Sequence, residues 1–191
     1  MNIQSVFSEH AEVSAQAARE LPPVLEEVIA ATGACIGAGH KILACGNGGS
    51  AAEAQHLVAE LVGRFRDERR ALPAIAFSAD TAILTALGND YGYERVFARQ
   101  VEALARPGDL LFAMSTSGNS PNVVRAAQTA RGLGCSVVGM TGARGGELAA
   151  HCDLLLRAPS TVVARIQEIH MLCVHAVVEA LDALLQAQAR S

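Results

Sequence analysis

Apolar positions recur along the chain with two different spacings, and the change from one to the other marks out the elements. Up to about Gly37 the spacing is helical. Val6, Val13 and Ala17 share one stripe, Pro22 and Pro23 interrupt it, and Leu25, Val28, Ile29 and Ile36 form a second, so two helices are expected over 1–37. Five short apolar runs follow, at 41–45, 73–77, 109–114, 136–140 and 153–156, each bounded by Gly, Pro or Asp. Being apolar on both faces, they read as strands of a parallel sheet covered by helices. Helical segments are expected at 50–66, 81–87, 94–104, 121–133 and 146–150, with a long last helix over 162–188. This alternation predicts an α/β fold, a doubly wound three-layer sandwich with a five-stranded parallel sheet flanked by helices. One domain is expected over 1–191, with 1–37 as helices used in oligomer packing and 38–191 as the α/β core and final helix.

Composition adds an oligomer to this picture. Hydrophobic residues make up 51% of the 191 positions and charged residues 18%, against roughly 45–50% and about 25% in soluble domains. That excludes a disordered chain, and in a domain of this size part of the apolar excess is expected between subunits. With 15 Lys and Arg against 19 Asp and Glu, no Trp and 4% aromatics, the basic footprint and stacking platforms of nucleic-acid binders are missing, so no nucleic-acid partner is expected. Five cysteines without a C-x-x-C pair suit a reducing compartment. No signal-like amino terminus and no run of ~18 apolar residues is present, so a cytoplasmic protein away from membranes is expected.

Ligands of open parallel sheets bind beyond the carboxyl ends of the strands, which directs attention to the loops after the apolar runs. The first run leads into Asn47, Gly48, Gly49 and Ser50, a glycine-rich turn feeding a helix, where Ser50 and Glu53 have the spacing of a capping box. Such a turn is a candidate anion cradle, although it lacks the G-x-G-x-x-G pattern and the Walker lysine. The third run leads into Ser115, Thr116, Ser117, Gly118, Asn119 and Ser120, with Ser120 as expected N-cap and Pro121 at the first helical position. Four hydroxyls at one helix start can hold a phosphate monoester without a lysine.

His56 and Glu60 stand four residues apart on one helix face, where they could share a metal or act as a proton-transfer pair, or form an ordinary surface pair. The last helix carries Gln167, His170 and His175. Gln167 and His175 are separated by ~12 Å of helix rise and roughly 80° of rotation, which argues against one shared metal and leaves His170 and His175 as alternatives. Asn89 and Asp90 lie in a segment that reads as a turn, able to meet sugar hydroxyls or to close the turn on itself. The cluster Arg64, Arg66, Arg69 and Arg70 reads as a solvated helix end, with Arg64 an outside candidate for a phosphate.

Taken in order, the segments CGNGGSAAEAQHLVAELVGRF, LPAIAFSADTAILTALGNDYGYERVFARQVEAL, GDLLFAMSTSGNSPNVVRAA and ARIQEIHMLCVH resemble the sugar isomerase (SIS) domain family, and within it the bacterial phosphoheptose (sedoheptulose 7-phosphate) isomerases. The resemblance spans nearly the whole chain. It implies one divalent ion, usually zinc, held by His56, Glu60, Gln167 and His175, with Glu60 as base and His175 as acid. It implies substrate contacts from Asn47, Gly48, Gly49, Asn89, Asp90, Ser115, Thr116, Ser117, Ser120 and Gln167, to which the cradle and the base add Ser50 and Glu60. The implied product is D-glycero-D-manno-heptose 7-phosphate, made for lipopolysaccharide by a homotetramer. Where some relatives carry an acidic residue this chain has Ala164.

Two other readings compete. A non-enzymatic relative that associates with the bacterial replication initiator shares the hydroxyl loop, but the resemblance implies that it lacks the Glu and final His that this chain keeps at Glu60 and His175. An isomerase of another phosphosugar is the second alternative. A sugar-sensing regulator would need a helix-turn-helix for which about 37 residues before the first strand leave no room.

Overall fold

A computed structural model describes residues 2–190, with side chains up to residue 187, so Met1 of the first expected helix and Ser191 lie outside the described residues. Two helices, α1 (Ile3–Glu20) and α2 (Pro22–Gly37), precede the first strand. The rest alternates: β1 (Ile42–Gly46), α3 (Gly49–Val62), β2 (Ala74–Ala76), α4 (Thr81–Tyr91), α5 (Val96–Leu104), β3 (Leu110–Met114), α6 (Pro121–Gly132), β4 (Ser136–Gly142), β5 (Leu154–Ala158) and α7 (Val163–Arg190). The strands form one parallel sheet in the order β2-β1-β3-β4-β5. Alternate residues of each strand face opposite layers. Ile42, Ala44, Phe112 and Met140 pack with Leu57 of α3 and Val174 of α7, whereas Leu43, Leu111 and Val137 pack with Val101 of α5 and Ala127 of α6. The runs are apolar throughout because both faces are covered.

Connections leave β1 toward β2 on one side and return to β3 on the other. The order of strands therefore reverses between β1 and β3, and this is the place where a doubly wound sheet opens a crevice at its carboxyl edge. The two loops singled out for phosphate are the loops that follow these two strands.

Several boundaries differ from those expected, each for a local reason. Helix α3 starts at Gly49 with Gly48 as N-cap, at φ 55°, so Ser50 is not the cap. The capping box does not form, because Glu53 turns inward toward α7 instead. The expected turn at Asn89 and Asp90 is helical: α4 is capped by Asp80, whose carboxylate accepts from the Ile83 N–H, and runs through Gly88 to stop only at Gly92, at φ 81°. The segment 94–104 splits into a 3-10 turn, Tyr93–Arg95, followed by α5, and the short helix near 146–150 is a 3-10 turn, Glu147–His151. Helix α3 ends at Val62, not near 66, and Arg69 folds back over its end. Its guanidinium donates to the carbonyls of Glu60 (2.6 Å) and Leu61 (2.9 Å) and pairs with Asp182 of α7, both side chains about 95% buried. Arg69 is thus a buried helix cap and not part of a solvated cluster.

Candidate active site

Below the switch point, α3 and α7 lie side by side and run in the same direction. Polar side chains meet across their seam at three levels. At the first, the amide of Gln167 rests on Gly49, so closely that a Cβ there would lie 2.1 Å from Nε2. At the second, buried His170 bonds through Nε2 to the Thr141 carbonyl (3.0 Å) and faces Glu53 Oε2 at 3.4 Å through Nδ1. At the third, His56 and His175 bring their Nε2 atoms to 2.9 Å, with Glu60 Oε1 3.4 Å from the same His56 nitrogen. Phe65 stacks on the His175 ring at 5.5 Å.

The seam decides between the two histidines. His170 is spent on Thr141 and Glu53, and His175 is the one that joins His56 and Glu60. Two imidazole nitrogens 2.9 Å apart cannot both present lone pairs, so a proton or a cation lies between them. Among the described residues no three His, Cys, Asp or Glu side chains close into a metal-holding cluster. The donor types of His56, Glu60 and His175 are nevertheless those zinc takes. Bonds of about 2.0–2.1 Å put tetrahedral ligands roughly 3.3 Å apart, a value bracketed by the 2.9 and 3.4 Å spacings found here. These residues fit the ion. Gln167 is not brought to them: Gly49, on which it rests, precedes His56 by seven residues, about 10 Å of helix rise.

The hydroxyl loop sits at the carboxyl edge of β3. Ser120 occupies the N-cap position of α6 with Pro121 after it, but its hydroxyl makes no cap bond and lies 3.0 Å from that of Ser115. Ser117 Oγ accepts from the Asn119 N–H, and Ser115 Oγ is 3.5 Å from Ser117 Oγ. Asn47 holds the β1 loop to this one through a reciprocal pair of 2.8 Å bonds with Asn122. The Tyr93 hydroxyl, just past α4, donates to Asn47 at 3.2 Å. Sequence reasoning missed Asn122 and Tyr93, since no local pattern sets them apart.

The remaining expected contacts are placed less centrally. Gly48 and Gly49 are exposed at the loop, whereas Ser50 is buried beneath it, its carbonyl 2.6 Å from where a Cβ on Gly46 would lie. Asn89 and Asp90 are exposed on the last turn of α4 and bond to one another at 2.8 Å. Arg64 bonds to the Arg66 carbonyl and faces Glu68. Burial pushes the Cys45 thiol, in the strand that feeds the β1 loop, up to about 12, so it is no nucleophile.

Comparison with known proteins agrees with this architecture. A family model described as SIS domain matches residues 7–142. A phosphoheptose isomerase of Aliarcobacter butzleri is 51% identical over 176 residues, covering 92% of this chain and 93% of its own. The solved phosphoheptose isomerase of Neisseria gonorrhoeae superposes with a TM-score of 0.90 at 42% identity, over 95% of this chain and 97% of its own. That of Francisella tularensis gives 0.92 at 40% identity, over 95% and 96%. The chain belongs to the SIS-domain family and, within it, to the phosphoheptose isomerases.

Proposed function

We propose that the chain converts sedoheptulose 7-phosphate into D-glycero-D-manno-heptose 7-phosphate, an aldose–ketose isomerisation through an enediol that feeds lipopolysaccharide heptose. The observation that carries this reading is the meeting of Glu60 and His56 on α3 with His175 on α7. Moving a carbonyl between adjacent carbons requires a base at carbon and an acid at oxygen. Glu60 takes the proton from C1 while His175 protonates the C2 oxygen. Glu60 then returns its proton to C2 and His175 accepts the proton of the C1 hydroxyl, which leaves the aldose and restores both groups. The hydroxyls of Ser115, Thr116, Ser117 and Ser120, with Asn47, Gly48 and Gly49, hold the phosphate end, and Asn89 and Asp90 face the sugar. Zinc held by His56, Glu60 and His175 would supply polarisation of the carbonyl oxygen.

Gln167 stands beside the phosphate end and about 10 Å of helix rise from His56. We therefore assign each complete site to two copies of the chain, with the hydroxyl loop and Gln167 of one facing the His56, Glu60 and His175 set of its neighbour. Apolar surface supports such an assembly: Ile3 and Phe7 on α1 are 58% and 67% exposed, and Leu172 on α7 borders a groove formed with Ala17, Leu21 and Leu25. A cytoplasmic homotetramer packed through α1, α2 and α7 accommodates these faces.

Turnover of sedoheptulose 7-phosphate by metal-stripped protein, with and without added zinc, tests the proposal. Zinc-dependent conversion is expected, with loss of at least ~100-fold in Glu60→Gln and His175→Ala while the folded oligomer remains. A folded wild-type oligomer inert under every metal would move the reading to another phosphosugar or to a binding role.

A further inference from the structure

On the far side of the hydroxyl loop from Asn47 lies a cleft of about 360 Å³, bounded by Thr116, Ser117 and Asn119 on one wall and by Arg144 and Thr161 on the others. Arg144 is the one charged side chain that lines it. Among the described residues Arg144 has neither an ion-pair partner nor a side-chain hydrogen bond; Arg19, Arg70 and Arg157 share that state, but none of them lines this cleft.

Its backbone, by contrast, is firmly held. The Ala143 N–H donates to the Ser160 carbonyl and the Gly145 N–H to Gly142, both within 3.1 Å. The next turn interlocks with the hydroxyl loop: Gly118, Gly145 and Gly146 all have positive φ, and a Cβ on Gly118 would lie 1.9 Å from the Gly145 carbonyl oxygen. The Leu148 N–H donates to the Gly118 carbonyl at 2.8 Å, and the Glu147 N–H donates to Asn119 Oδ1 at 2.8 Å. The backbone that carries Arg144 is thereby fixed beside the hydroxyl loop, and its guanidinium lines the same cleft as Thr116 and Ser117 with its five donors unspent.

A cation would complement the hydroxyl loop, which can hold a phosphate but brings no charge of its own. A phosphate monoester carries close to two negative charges at neutral pH, and the chain as a whole is at −4. At the start of α6 Pro121 has no N–H and the Val123 N–H is already bonded to Asn122 Oδ1 and the Ser120 carbonyl, which leaves the N–H groups of Ser120 and Asn122. The N–H groups of Gly118 and Asn119 are also taken, by the Ser115 carbonyl and Ser117 Oγ. Among the described residues the N–H groups of Thr116, Ser117, Ser120 and Asn122 have no acceptor and are open to the dianion beside the hydroxyls; what neutral donors do not supply is charge, and a planar guanidinium brings charge together with paired donors.

We infer that Arg144 is a substrate-binding residue that closes over the phosphate of the phosphosugar from the cleft side, an assignment that rests on the proposed isomerase reading. Kinetics on sedoheptulose 7-phosphate and the rise in melting temperature given by inorganic phosphate test it in wild type, Arg144→Ala, Arg144→Gln and Arg144→Lys. In Arg144→Ala and Arg144→Gln, KM is expected to rise about tenfold, by more than kcat falls, and inorganic phosphate to lose most of its protection. Arg144→Lys recovers part of both, and added salt narrows the gap between wild type and Arg144→Ala. Unchanged KM and unchanged phosphate protection in the Ala and Gln variants overturn the assignment. Protection by phosphate requires no turnover, so it reports on Arg144 even where wild type leaves the heptulose untouched, the result that would count against the isomerase reading instead.

Discussion

The carboxyl rim of the sheet and the α3–α7 seam both carry polar groups of the candidate site, yet they are built in opposite ways. At the rim the backbone does the holding. The hydroxyl loop is pinned by Gly142 N–H to the Thr116 carbonyl, by Leu148 N–H to the Gly118 carbonyl and by the mutual fit of Gly118 with Gly145 and Gly146, so its serines are left free to face a ligand. Along the seam the side chains do the holding: Gln167 against Gly49, the Glu53–His170 pair, and His56 with His175, the last of which is also proposed for chemistry together with Glu60. A rim of this kind tolerates loss of a hydroxyl but not of a glycine. A seam tolerates backbone shifts poorly and depends on each polar partner being present.

The sharpest way to break the contrast is at Gly118. Gly118→Ala puts a Cβ 1.9 Å from a backbone oxygen at φ 69°, so the two loops must part. A loss of about 3–5 kcal/mol is expected in chemical denaturation. Gly48, also at positive φ (φ 55°, ψ −121°) but with nothing within 4 Å of a new Cβ, is the control, and Gly48→Ala should cost about 1–3 kcal/mol. Equal costs at the two sites would show that the interlock of the loops contributes nothing.

Next in size comes the seam. Glu53 and His170 are 4% and 1% exposed, and Glu53→Ala leaves an imidazole facing a cavity. A loss of about 2–3 kcal/mol is expected in denaturant titration, with weaker zinc retention, because the register that brings His56 to His175 is loosened. Retention of both full stability and zinc would reduce the pair to a bystander.

The smallest effect is expected at Ser120. As an N-cap by side chain it would be worth about 1 kcal/mol, but its hydroxyl bonds to Ser115 instead. Ser120→Ala should therefore cost well under ~1 kcal/mol by thermal melting and show itself as a severalfold rise in KM. A large drop in stability with unchanged KM would restore the capping role and remove the serine from the phosphate site.

Legibility in the sequence follows the same division. Strand positions, the helices on both faces and the two loops at the switch point could be read from runs of apolar residues and from glycine and serine clusters, since those patterns act over a few neighbouring residues. The fate of Glu53 could not: its spacing from Ser50 favours a capping box, and only the arrival of His170 from 117 residues away turns it inward. Arg69 was misjudged for the same reason, because its partner Asp182 lies 113 residues away on α7. Helix rise argued against Gln167 and His175 meeting at one metal, and in the structure Gln167 rests on Gly49, at the first level of the seam, with His175 at the third.

By itself, the sequence determined the class of fold, the order of its elements and the rim loops, because hydrophobic period and turn chemistry are local and the sheet has one arrangement that covers both faces. Residue spacing left open which histidine meets His56, and the tertiary structure brings in His175, the one that the family resemblance implied; tertiary structure alone decided why Glu53 and Arg69 are buried, that Asn47 is tied to Asn122, and that Arg144 lines a cleft with the hydroxyl loop. Each of these is a meeting of side chains distant in sequence, set by how α7 lies along α3 and how the loops after β3 and β4 interlock, and no spacing within a single segment encodes it.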